Sequence, residues 1–150
     1  MQNILKWRHQ IVGVLVIALA TTNAFAQGTP AGTWKTVDDV TGQPKGEVKI
    51  VEEDGVYSGT LIDVLKQDER NRICTQCTGD QKDKPIVGLT ILRNMKATGD
   101  NEWSGGTILD PGSGKVYSAR ISLADGGAKL NVRGFVGVSL LGRTQTWIRE

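Results

Sequence analysis

Residues 116–123 read Val-Tyr-Ser-Ala-Arg-Ile-Ser-Leu, so Tyr117, Ala119, Ile121 and Leu123 alternate with Ser118, Arg120 and Ser122. A period of two places the four apolar side chains on one face of a strand, whereas a helix would scatter them around its axis. Asp125-Gly126-Gly127 then turns the chain, which returns from Leu130 to Val138 with Leu130, Val132, Val136 and Val138 on one side and Asn131 and Arg133 on the other. A strand with one apolar and one polar face must cover the apolar face with more strands of its own kind, and this requirement governs the fold.

The same alternation predicts strands near 33–37, 46–52, 56–65, 86–93, 102–109 and 143–149, about eight in all. Turn chemistry separates most of them: Thr41-Gly42-Gln43-Pro44, Glu53-Asp54-Gly55, Gly99-Asp100-Asn101 and Asp110-Pro111-Gly112-Ser113-Gly114. Connections this short join sequential neighbours, which predicts an all-β, single antiparallel up-and-down barrel, with a β-sandwich as the alternative. Helix is confined to a turn or two, within 66–84 or near Leu92 to Ala97.

Upstream, Lys6, Arg8 and His9 precede an apolar run from Ile11 to Ala20, and Ala24-Phe25-Ala26 supplies small residues at a cleavage site. This pattern reads as an export signal over 1–26, cleaved after Ala26, because the apolar run is about half of the roughly 20 residues needed to span a bilayer. The residue then exposed is Gln27 and not a cysteine, which disfavours a lipid anchor. The expectation is a periplasmic or secreted product, with residues 27–150 as one domain and no membrane span after cleavage.

Removing 26 of 150 residues leaves 124, and it takes Lys6 and Arg8 from the 18 basic residues, leaving 16 against 16 acidic ones. A near-zero net charge provides no electrostatic footprint for nucleic acid or for an anionic membrane surface. His9, the single histidine, departs with the leader. Ser-His-Asp and Cys-His machinery and a histidine general base go with it, so the expectation is a protein that is not an enzyme.

Cys74 and Cys77 are the two cysteines, spaced C-x-x-C among polar and charged residues. Zinc would lack donors with two thiols and no imidazole, and haem attachment would need His where Thr78 stands. No cofactor is therefore expected. In an oxidising compartment the thiols should pair as a clip, and closing so short a loop contributes about 2 kcal/mol in the chain-entropy model. A dithiol redox centre is the alternative reading, although nothing nearby has the βαβ pattern that activates such thiols elsewhere.

Other motifs resolve as turns. Gly114-Lys115 lacks the remainder of a phosphate loop, Asp38-Asp39 would point to opposite strand faces, Asp110 before Pro111 starts a turn, and Gly105-Gly106 inside a strand marks a bulge.

From Gly32 to Arg149 the chain resembles the exported bacterial proteins of domain of unknown function 2147. The resemblance is carried by Gly32-Thr33-Trp34, Cys74-Thr75-Gln76-Cys77-Thr78-Gly79, Trp103-Ser104-Gly105-Gly106-Thr107-Ile108-Leu109-Asp110-Pro111, Val132-Arg133-Gly134-Phe135 and Gly142-Arg143-Thr144-Gln145-Thr146-Trp147. That family implies no settled activity. A looser likeness is to lipocalin-like barrels, whose first strand carries G-x-W and whose last supplies an Arg that packs on the Trp. It implies that Trp34, Trp147 and Arg149 meet at one barrel end.

In the last strand Arg143, Gln145, Trp147 and Arg149 share one side. If that side faces inward it lines a pocket, and if outward it is a solvated face, the reading favoured for Arg143 and Gln145. These residues, with Tyr57, Trp103 and Arg133, are the ligand-binding candidates. Buried arginines call for an anionic partner, which points to a small apolar or amphiphilic ligand. An envelope interaction or stress-linked structural protein is the second reading and a dithiol redox protein using Cys74 and Cys77 the third; the sequence names no protein partner.

Overall fold

A computed structural model describes residues 28–150, and the expected leader with its cleavage site lies outside them. Eight strands run in chain order: β1 (Gly32–Val37), β2 (Pro44–Glu53), β3 (Val56–Val64), β4 (Thr90–Gly99), β5 (Glu102–Asp110), β6 (Lys115–Ala124), β7 (Lys129–Phe135) and β8 (Gly142–Arg149). Each pairs antiparallel with its sequence neighbour, and β8 pairs back to β1, closing the barrel. Short 3-10 turns at Gly79–Gln81 and Asp125–Gly127 are the helical segments among the described residues.

Two expected boundaries move. The segment Leu92 to Ala97, read as a possible helical turn, belongs to β4, and the strand expected over 86–93 begins at Thr90. The physical cause is a double irregularity. Asn94 takes a left-handed φ of 58°, and β4 gains a residue relative to β3 between Leu92 and Met95. Opposite, Gly105 at φ 79° forms the expected bulge between Ser104 and Gly106. Bulges break the apolar alternation while bending both strands, which a closed barrel requires. A Cβ on Gly106 would lie 2.1 Å from the Arg93 carbonyl oxygen, so the two bulged strands approach as closely as glycine permits. The second change is in β7, which ends at Phe135, so Val136 and Val138 stand in the following loop and not on the strand.

One end of the barrel is shut by side chains. Trp34 is fully buried and donates its indole N–H to the Pro30 carbonyl at 2.8 Å. The Arg149 guanidinium carbon sits 4.2 Å from the Trp34 ring centroid. Its nitrogens donate to the carbonyls of Gly127 at 2.7 Å, Ala31 at 3.0 Å and Thr29 at 2.7 Å. A planar fork saturating three carbonyls while its face covers an indole ties the N-terminal segment, the β6–β7 turn and β8 together. Trp103 and Met95 are buried in the same core, and Tyr57 meets Trp103 edge-on at 5.8 Å.

The other end carries the longer connections: 38–43, 65–89, 111–114 and 136–141. There the seam between β1 and β8 is thin. Trp34–Arg149 and Lys35–Ile148 are its two paired positions, against seven between β7 and β8.

Candidate functional site: a cavity at the loop end

The core residues of the shut end leave the other half of the interior unfilled. A cavity of about 440 Å³ opens among the long loops. Its walls are apolar: Leu61 and Val64 of β3, Ile91 of β4, Ile108 and Leu109 of β5, Val132 of β7 and Trp147 of β8, with Ile86 from the β3–β4 loop. Alternation explains Ile91, Val132 and Trp147; Leu61 and Val64 stand three apart across the extra residue that β3 carries opposite Glu47 and Val48, and Ile108 and Leu109 are neighbours near the end of β5. The volume falls within the range of small-molecule sites, and no charged or polar residue is fully buried among the described ones.

Polar groups gather at the rim, where Lys45, Glu69, Arg72, Asp110, Arg143 and Gln145 also line the opening. Arg143 binds the Asp39 carboxylate through Nε and Nη2, linking β8 to the β1–β2 loop. Arg72 pairs with Glu69 at 3.3 Å. Asp110 is absorbed by its own turn, accepting from the Gly112 N–H at 2.9 Å and the Ser113 hydroxyl at 2.8 Å. Lys45 makes no ion pair among the described residues. Beside it, Asp38 accepts the Thr41 N–H at 2.8 Å, the Val40 N–H at 3.0 Å and the Thr41 hydroxyl at 3.1 Å. The Thr41 amide foremost, then that of Val40, holds the Asp38 carboxyl below its ordinary pKa.

The inward side of β8 is the one carrying Arg143, Gln145 and Trp147. For Gln145 this corrects the solvated-face reading: it is half-buried and accepts the Trp147 indole N–H at 3.3 Å. Arg143 combines the two readings, lining the rim while its side chain stays 68% exposed. Trp34 and Arg149 stack as the lipocalin likeness implied, whereas Trp147 lies a layer nearer the mouth, in the cavity wall. Tyr57, Trp103 and Arg133 are outside the cavity lining. The first two fill the opposite half of the core. Arg133 sits on the outer face, donating to Ser139 O at 2.6 Å, Leu140 O at 3.3 Å and Thr144 Oγ1 at 2.9 Å.

Cys74 and Cys77 form a disulfide, and both are buried, at 1% and 2% exposure. The loop that carries them is exposed on its flanks but anchored at the sulfurs. Cys74 Sγ lies 3.4 Å from the Pro111 carbonyl, a contact without a donated hydrogen because the sulfur is oxidised. A Cβ on Gly114 would stand 2.0 Å from Gln76 O, so the β5–β6 turn packs backbone to backbone on the disulfide. Pro111 and Gly112 line the cavity, which makes the clip a buttress of its wall. No motif signals such a cavity wall; the inward alternation alone marks Leu61, Ile91 and Val132, and what distinguishes them from core is the missing bulk above them.

A family model described as "Uncharacterized protein conserved in bacteria (DUF2147)" matches residues 32–149, nearly the whole described chain. The chain belongs to this family. Among solved structures, the DUF2147 chain is similar to "Protein HP1028 from the human pathogen Helicobacter pylori belongs to the lipocalin family", with a TM-score of 0.72 and 18% identity over 82% of this chain and 84% of that one. At this identity the likeness concerns the fold, a lipocalin-like eight-stranded barrel. No curated protein matches the sequence.

Proposed function

We propose that this DUF2147 protein is an exported, periplasmic barrel that holds a small apolar or amphiphilic molecule in the cavity at its loop end and carries out no chemistry on it. One observation carries the reading: an interior of about 440 Å³ walled by aliphatic side chains and Trp147, with its charged groups confined to the rim. That distribution suits an apolar body inside and a polar end at the mouth. The lipocalin description of its structural neighbour agrees with it. The reading as a binder and not an enzyme is supported by the loss of His9 with the leader and by the acids of the rim, which are engaged in ion pairs and turns. The dithiol alternative is supported less, because the pair is buried and packed against Pro111 and Gln76 lies on Gly114.

Native mass spectrometry of protein purified from the periplasm of its host should show a mass above that of residues 27–150. Titration with a fluorescent alkyl-chain probe should be saturable, and Val132→Phe, which adds bulk to the cavity wall, should weaken probe binding by about tenfold or more. A folded protein without retained mass or probe uptake would refute the reading.

A further inference from the structure

Eleven large hydrophobic side chains are exposed among the described residues, and five stand on two neighbouring loops at the cavity mouth: Val40 at 90%, Val136 at 64%, Val138 at 59%, Leu140 at 87% and Leu141 at 70%. The β7–β8 loop, Val136-Gly137-Val138-Ser139-Leu140-Leu141, carries no charge at all. Water-facing loops are ordinarily polar, and clustered aliphatics at one end of a molecule mark a surface that spends part of its time out of water.

The loop is built to present these side chains. Its backbone folds on itself through Val136 N–H to Leu141 O at 3.2 Å and Leu141 N–H to Val138 O at 3.0 Å. Arg133 clasps it from the flank through the Ser139 and Leu140 carbonyls. All three partners of Arg133 are neutral oxygens, so its positive charge is not cancelled by an acid within the cluster. Lys45, by contrast, has the Asp38 carboxylate beside it, and Asp39 is engaged by Arg143. Aliphatic tips flanked by the Arg133 cation complement an interface of acyl chains beneath anionic headgroups.

We propose that this end of the barrel docks on an anionic lipid bilayer, with Val138 and Leu140 entering the headgroup–acyl boundary and Arg133 facing lipid phosphates. Val136 and Leu141 also line the cavity, so the docking surface is continuous with its apolar wall. A bilayer, unlike a second copy or a protein partner, is thereby also a source and sink of apolar cargo. That last consequence rests on the proposed binding function; the docking itself does not. The near-zero net charge removes long-range attraction, so attachment is short-ranged and reversible.

The test is flotation of the purified mature protein with vesicles of phosphatidylcholine alone or with phosphatidylglycerol added. Wild type should float with the anionic vesicles, less with the neutral ones, and less as salt is raised. Val138→Ser/Leu140→Ser, at positions outside the cavity lining, should lower partitioning by about tenfold or more while keeping uptake of the alkyl-chain probe. Wild type that stays in solution, or a double variant that floats as well as wild type, would overturn the proposal. So would a wild-type dimer that the double substitution dissolves, since the surface would then be a contact between copies. Failure of probe uptake alone would refute the cavity reading and leave flotation unaffected.

Discussion

Gly114 and Gly126 both take left-handed backbone, at φ 69° and 63°, but only Gly114 has backbone in the way of a side chain. Gly126→Ala should therefore cost about 1 kcal/mol, the conformational term alone. Gly114→Ala should cost about 3 kcal/mol or more, because its methyl must also displace Gln76 and with it the disulfide loop. Urea midpoints of the two variants measure the difference. Asp38 gives a second residue-scale expectation. Its pKa is lowered in the folded state, so the stabilisation it contributes is complete above the unfolded-state pKa and is lost as pH falls through the folded one, below about pH 4. The amide resonances of Val40 and Thr41 should titrate together with a midpoint under that of a free aspartate, and Asp38→Asn should abolish the titration. Lys35 runs the other way. Its hydrogen bond to Glu150 raises its pKa, so its contribution is intact at neutral pH and fades only as pH climbs above the ordinary lysine range.

The Cys74–Cys77 clip acts through the elements it joins, not through the length of loop it closes. Chain entropy alone assigns it about 2 kcal/mol, but both sulfurs also fill space between the β3–β4 loop and the β5–β6 turn. Cys74→Ser/Cys77→Ser should then lower stability by about 3–4 kcal/mol, combining the entropic and packing losses. Amide exchange should rise jointly at residues 72–86 and 111–114, with the far-UV spectrum of the barrel unchanged. A rise confined to the cysteine loop would show that the contact to Pro111 carries no coupling. The elements themselves were legible where alternation was uninterrupted, as in β6, whose Ala119 and Ile121 are buried as the pattern requires. They were not legible in β4, where the extra residue around Asn94 puts Leu92 and Met95 three apart on one face and imitates a helix. Ile86 and Leu89 misled for a related reason: they are buried from a loop folded into the barrel mouth, so an apolar run there signals plugging and not pairing. The cavity shared this difficulty, since inward-facing residues read alike whether the space above them is filled or empty.

At the scale of the whole barrel, closure rests on one end. Arg149 ties Trp34, the N-terminal segment and the β6–β7 turn together just where β1 and β8 pair, and toward the mouth the seam has no further paired positions. Arg149→Ala removes three charge-assisted hydrogen bonds and the cation–π contact, and should cost about 3 kcal/mol or more. Arg149→Lys should recover little of it, because an ammonium cannot reach three carbonyls in one plane. The sequence held half of this arrangement, since Trp34 and Arg149 were legible as first-strand and last-strand partners, whereas the thinness of the seam lies in where β1 stops pairing with β8, after Lys35 and next to the register shift at Thr36 and Val37. Strand alternation sets which amides the end of that pairing leaves open. Arg149 N–H points to β7, bonding Ala128 O, and Glu150 N–H points to β1, bonding Thr33 O. By the same alternation the amides of Thr144 and Thr146 face β1 beyond the last paired position, and those of Arg143 and Gln145 face β7 within a continuous ladder. Native-state hydrogen exchange should accordingly find Thr144 and Thr146 exchanging far faster than Arg143 and Gln145, and breaking the rim pair with Asp39→Asn should accelerate the former while leaving the latter protected. Equal protection of the four amides would mean that the barrel is sealed along its full height.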